Sequence, residues 1–154
     1  MKRTAMHWTA ALAAACLLAA CEGVLTGRTE ETRPLEADGD GFKPVTLKLT
    51  TEMSPVALNF QAELGNRPHE TGKWNAYRAS LSRGGQVVAS RNFNVNYTGT
   101  VEQPPAHPAQ TITMLTWRVA ESGEYTLSIA PLKAADVALA NPRVEVRRNV
   151  QLPQ

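Results

Sequence analysis

From Val45 onward the chain alternates apolar and polar residues with a period of two, and that period restricts it to a β architecture. In Val45-Thr46-Leu47-Lys48-Leu49-Thr50 the alternation is strict. It resumes after Ser54-Pro55, where Val56, Leu58, Phe60, Ala62 and Leu64 interleave with Ala57, Asn59, Gln61 and Glu63. Successive side chains of a strand point to opposite faces, so such a pattern predicts strands with one buried face. A long hairpin is expected over 74–97. Tyr77, Ala79 and Leu81 share one parity, Gly84-Gly85 supplies the turn, and Val87-Ala89 and Phe93-Val95-Tyr97 return. Thr111–Val119, Tyr125–Ile129 and Val144–Arg147 complete the series, while Pro104, Pro105 and Pro108 make 98–110 a loop or crossover. The Ala-rich stretch Lys133–Leu139 reads equally as a short helix or a strand.

About seven strands with turn signals between them predict an all-β domain over 42–154: an antiparallel β-sandwich, immunoglobulin-like or jelly-roll-like. A small closed barrel is the rival arrangement. Residues 22–41 are polar, charged and Gly-containing, and are expected to form a flexible tether; about 20 such residues span roughly 25 Å.

The first 20 residues follow a different rule. Lys2 and Arg3 precede an Ala- and Leu-rich stretch that ends in Leu18-Ala19-Ala20-Cys21, and Glu22 is the first acid in the chain. A positive end, a short apolar core and small residues at the cut make a secretory signal peptide. The apolar run, 5–20, falls short of the roughly 20 residues that span a bilayer as a helix. Leu18-Ala19-Ala20-Cys21 resembles the lipobox of bacterial lipoproteins. That resemblance implies removal of residues 1–20 and acylation, palmitate included, at Cys21. Stable anchoring takes more than one acyl chain, a condition that three chains on Cys21 would meet. By the same resemblance, Glu22 in place of Asp implies the outer membrane of a Gram-negative envelope, with the domain facing the periplasm.

Charge and cysteine usage narrow the function. Lys2 and Arg3 account for the whole formal net charge of +2, so the mature chain is neutral, without the basic bias that nucleic-acid binding exploits. Of the two cysteines, Cys16 leaves with the signal peptide and Cys21 carries lipid; no intramolecular disulfide, thiol nucleophile or thiolate metal ligand remains. The domain must hold together by its core.

The parts available for chemistry are few. His69 and His107 lie beside prolines, and no nucleophile-elbow sequence joins either to Ser80 or Ser90. Neither HExxH nor paired CxxC occurs, and Asp38-Gly39-Asp40-Gly41 lacks the distal acid of a calcium loop. No catalytic residue, metal or cofactor is therefore expected. Possible contacts with a ligand or partner are Trp74, with Asn75 and Arg78 as polar neighbours for a glycan. The basic group Arg143, Arg147 and Arg148 would suit an acidic partner or a lipid phosphate. Trp117 shares parity with Leu115 and Val119 and is expected in the core. Three functions follow, in order: a non-enzymatic lipoprotein contacting another envelope protein, a carbohydrate-binding module for peptidoglycan or exported glycans, and a hydrolase. Buried aromatics with an apolar or edge-strand patch favour the first; an exposed Trp74 favours the second.

Replacing the single thiol tests the anchor. Cys21→Ser is expected to incorporate no palmitate label and to leave the membrane fraction; retention as firm as that of the natural protein overturns lipidation.

Overall fold

The computed structural model describes residues 26–152; the expected signal peptide, Cys21 and the first part of the expected tether lie outside them. Nine strands are formed: β1 (Arg28–Pro34), β2 (Ala37–Asp38), β3 (Gly41–Leu49), β4 (Val56–Leu64), β5 (Trp74–Arg83), β6 (Gln86–Asn96), β7 (Ala109–Trp117), β8 (Gly123–Pro131) and β9 (Leu139–Arg148). Single 3₁₀ turns sit at Thr51–Met53 and Pro68–Glu70. The strands make two antiparallel sheets, ordered β1-β9-β4-β7 and β2-β3-β8-β5-β6, so the fold is a β-sandwich and not a closed barrel. Only β2–β3 and β5–β6 are joined within a sheet; every other connection crosses from one sheet to the other.

The period-two residues fill the space between the sheets. Leu47, Leu49, Val56, Leu58, Phe60, Leu81, Leu127, Val144 and Val146 are buried there. Phe42, Phe60, Tyr77 and Phe93 form an aromatic cluster with centroids 5.4–6.1 Å apart, a spacing at which tilted rings attract. The β5–β6 hairpin turns at Gly84 and Gly85, both at positive φ (56° and 80°), as the sequence requires.

Two expectations need correction. From Arg28 on, the stretch expected as a flexible tether over 22–41 is not one, because Arg28–Pro34 is an edge strand paired with β9 from Arg28↔Arg148 to Pro34↔Arg143. An edge strand exposed on both faces needs no apolar period, so its charged sequence gives no strand signal. Lys133–Ala138 is neither helix nor strand; its backbone is held by side chains from elsewhere in the fold, described below. At the other sheet's edge, Arg91 of β6 lies opposite buried Ala79, on the core side, yet is exposed. A charge so placed discourages pairing with a further strand.

Candidate functional site

The parity of β5 puts Asn75, Tyr77, Ala79 and Leu81 inside and Trp74, Ala76, Arg78 and Ser80 on the outer face of the five-stranded sheet. Their partners across β6 are Asn96, Asn94, Asn92 and Ser90, and across β8, Ala130 and Ser128 lie opposite Arg78 and Ser80. The result is a face of mostly short side chains, asparagines and serines among them, with Arg78 in its middle and one large ring at its end. Trp74 is 44% exposed. Lys133 fixes it from the β8–β9 loop: its Nζ lies 4.2 Å from the indole centroid and donates to the Trp74 carbonyl at 3.1 Å. An ammonium so close to an indole face gains cation–π attraction. Asp136 pairs with Lys133, and that hydrogen bond first, then the nearby charges of Lys133 and Lys73, keep its carboxyl below the usual range. Arg78 Nε donates to Asn92 Oδ1 at 3.0 Å, and the Ser80 and Ser90 hydroxyls are 3.1 Å apart.

Asn75 has a different task from the one its position beside Trp74 suggests. It is 2% exposed and faces inward. Its Nδ2 donates to the Val137 carbonyl (2.7 Å) and to Tyr77 Oη (3.1 Å), while Oδ1 accepts from the Asp136 and Val137 amides (2.8 and 2.9 Å). The Glu70 carboxylate accepts from the Ala138 amide (3.2 Å). These bonds hold 136–138 where regular pairing is absent, and with them Lys133 behind Trp74. Asn75 is thus spent on the fold and is not a ligand contact. Leu132 continues the outward parity of β8 and is 46% exposed. The tyrosines are all buried, so Trp74 stands without a row of companion rings. Trp117 is half-buried at the opposite end of the sandwich, across from Val56.

The expected basic cluster is not a positive patch. Arg143 lies 3.8 Å from Glu63, Arg148 3.1 Å from Glu30, and Arg147 2.9 Å from Glu145. Glu145 and Asn59 occupy outward positions of the four-stranded sheet, yet they are 6% and 0% exposed. The Glu145 carboxylate accepts from Thr29 Oγ1 (2.6 Å), Asn59 Nδ2 (2.9 Å), Gln61 Nε2 (3.2 Å) and Arg147. Thr113 Oγ1 donates to Asn59 Oδ1 at 2.9 Å. All four strands of the sheet contribute, so this is a structural knot.

The remaining chemical candidates are not gathered. His69 and His107 are exposed on separate loops, with His69 Nε2 3.8 Å from Glu70. Ser80 and Ser90 face each other on the sheet. Asp38 and Asp40 flank the β2–β3 turn, and no group of three His, Cys, Asp or Glu suited to a metal occurs among the described residues. Sequence reasoning missed Lys133, the outward Asn92, Asn94 and Asn96, and the Glu145 knot. The asparagines had a signal, one at every second position from Asn92 to Asn96. The burial of Glu145 and Asn59 had none, because outward parity normally means solvent. No protein-family model matches the chain, and no curated protein or solved structure is significantly similar to it.

Burial pushes the Glu145 carboxyl up, but the hydrogen bonds from Thr29, Asn59 and Arg147, with the Arg147 charge, outweigh it, and the net shift is downward. A carboxyl depressed on folding contributes stability above its unfolded pKa and loses it as pH falls through its folded value. Glu145→Gln is expected to lower stability at neutral pH by about 1–3 kcal/mol. It should also flatten the loss of stability on acidification, as read from urea midpoints across the acid range. An unchanged acid slope contradicts the assignment.

Proposed function

We propose that this chain is a lipid-anchored, non-enzymatic recognition module of the bacterial cell envelope. It is cut before Cys21, acylated there and held at the outer membrane facing the periplasm; its sheet face binds a glycan of the peptidoglycan or exported type. The observation that carries the reading is Trp74, exposed at the end of a face of asparagine and serine side chains and backed by Lys133. Sugars offer an apolar C–H face that suits an indole and hydroxyls that both donate and accept. Amide and hydroxyl side chains do the same, and the Arg78 guanidinium adds charged donors.

Contact with an envelope protein is the second reading. It draws on the exposure of Leu132 near the same end, since a protein interface needs an apolar centre that excludes water. Trp and Arg serve as anchors in either case.

Trp74→Ala decides between them. It is expected to reduce retention of the cleaved domain on insoluble peptidoglycan at least tenfold while leaving the thermal unfolding midpoint within a few degrees of the natural protein. Retention that Trp74→Ala does not change, or no retention by the natural domain, overturns the glycan reading. Loss of a protein crosslink in the envelope on the same substitution favours the second.

A further inference from the structure

The route from Cys21 to the fold is short. Thr26 and Gly27 are clamped to the end of β9: Arg147 Nε donates to the Thr26 carbonyl (2.9 Å) and Nη2 to the Gly27 carbonyl (3.0 Å), and the Gln151 amide donates to Thr26 Oγ1 (3.1 Å). Gly27 has φ +73°, and a Cβ there would lie 2.2 Å from the Arg148 carbonyl oxygen, so only glycine fits. Thr26 is thus held to the fold, and five peptide steps separate it from Cys21. Extended chain covers at most about 18 Å in that number of steps.

The clamp sits at one particular end of the sandwich. Arg148 pairs with Arg28 and Val56, and Val56 pairs with Trp117, so the start of β1, the start of β4 and the end of β7 all meet there. A hydrogen bond from the Thr51 amide to Ser122 Oγ brings the β3–β4 and β7–β8 connections to the same end. Arg83 and the β5–β6 turn join them through the ion pair of Arg83 with Glu121. Trp74 starts β5 and Arg83 ends it, so at about 3.3 Å per residue the candidate face's tryptophan lies roughly 30 Å away, at the opposite end.

We infer that the Thr26 end of the sandwich rests on the phosphate layer of the bilayer and that Trp74 points away from it. The inference depends on acylation of Cys21, from which the 18 Å limit is measured. Charge at this end agrees. Glu30 is paired with Arg148 and Glu121 with Arg83, while Arg28 and Arg118 are exposed with no ion-pair partner among the described residues; Glu52 and Glu124 are the exposed acids here, and exposed Lys48 lies opposite Glu124 in the β3–β8 ladder. Two exposed guanidiniums suit lipid phosphates, to which Arg can donate two parallel hydrogen bonds. An upright domain holds its recognition face clear of the membrane, where a polymer running parallel to the bilayer can lie along it.

The full lipidated protein in phosphatidylethanolamine–phosphatidylglycerol vesicles carrying a headgroup spin label tests this. Because Cys21 is acylated, Glu52→Cys and Ala134→Cys each introduce one free thiol for a fluorophore, at the near and far ends. Quenching at position 52 is expected to exceed that at 134 several-fold. Ten added Gly/Ser residues between Gly23 and Val24 should bring the two together, and Arg28→Gln with Arg118→Gln should narrow the gap without releasing the protein. Equal quenching in the natural protein, or a gap that the insertion leaves intact, overturns the orientation. Protein that does not float with the vesicles at all overturns the anchor and the orientation together.

Discussion

A buried carboxylate on the wrong side of a sheet holds much of this molecule in register. Glu145 points away from the sandwich core, where a strand normally meets water, and is nonetheless enclosed by Thr29, Asn59, Gln61 and Arg147. A charge removed from solvent is tolerated only when donors replace the lost water, and breaking such a set strands the remaining partners. Because those donors come from β1, β4 and β9, with β7 joined through Asn59 and Thr113, a slip of any strand by one residue would turn its donor to the other face. Arg147 extends the same knot to the Thr26 and Gly27 carbonyls. The entry of the chain, the edge strand β1 and the centre of the four-stranded sheet are thus one cooperative unit.

That arrangement explains where the sequence was informative and where it was silent. Apolar periodicity records burial between the sheets, so Val56 to Leu64, Tyr77 to Leu81 and Tyr125 to Ile129 announced their strands and their inward faces. Gly84-Gly85 announced its turn for the same local reason, a backbone that needs positive φ. β1 could not be read this way. It buries almost nothing, and is held by ladder bonds to β9 and by side chains of partners more than a hundred residues away. The loop at 133–138 was equally opaque, since its shape comes from Asn75 and Glu70 rather than from its own alanines. Of the residues singled out as possible contacts, Trp74 and Arg78 share an exposed face; Asn75, Arg147 and Arg148 are occupied by the fold.

The two ends of the sandwich are built differently. One receives the chain through a clamp that tolerates only glycine at position 27 and leaves Arg28 and Arg118 exposed. The other carries Trp74, stiffened by a lysine whose own position depends on a buried asparagine. Every connection but two crosses between the sheets, so the strands that fix the entry point and the strands that present the tryptophan share one core built on Phe60, Tyr77 and Phe93. The two ends are therefore joined through one continuous core.

Amide hydrogen exchange on the Arg147→Ala variant measures the knot directly. If Arg147 and Glu145 bind the chain entry to the sheet, β1 and residues 26–27 lose protection together, while β3, β5 and β8 keep theirs. Unchanged protection in β1 would contradict the account, because the edge strand would then be held by its ladder alone and Thr26 and Gly27 would have no clamp.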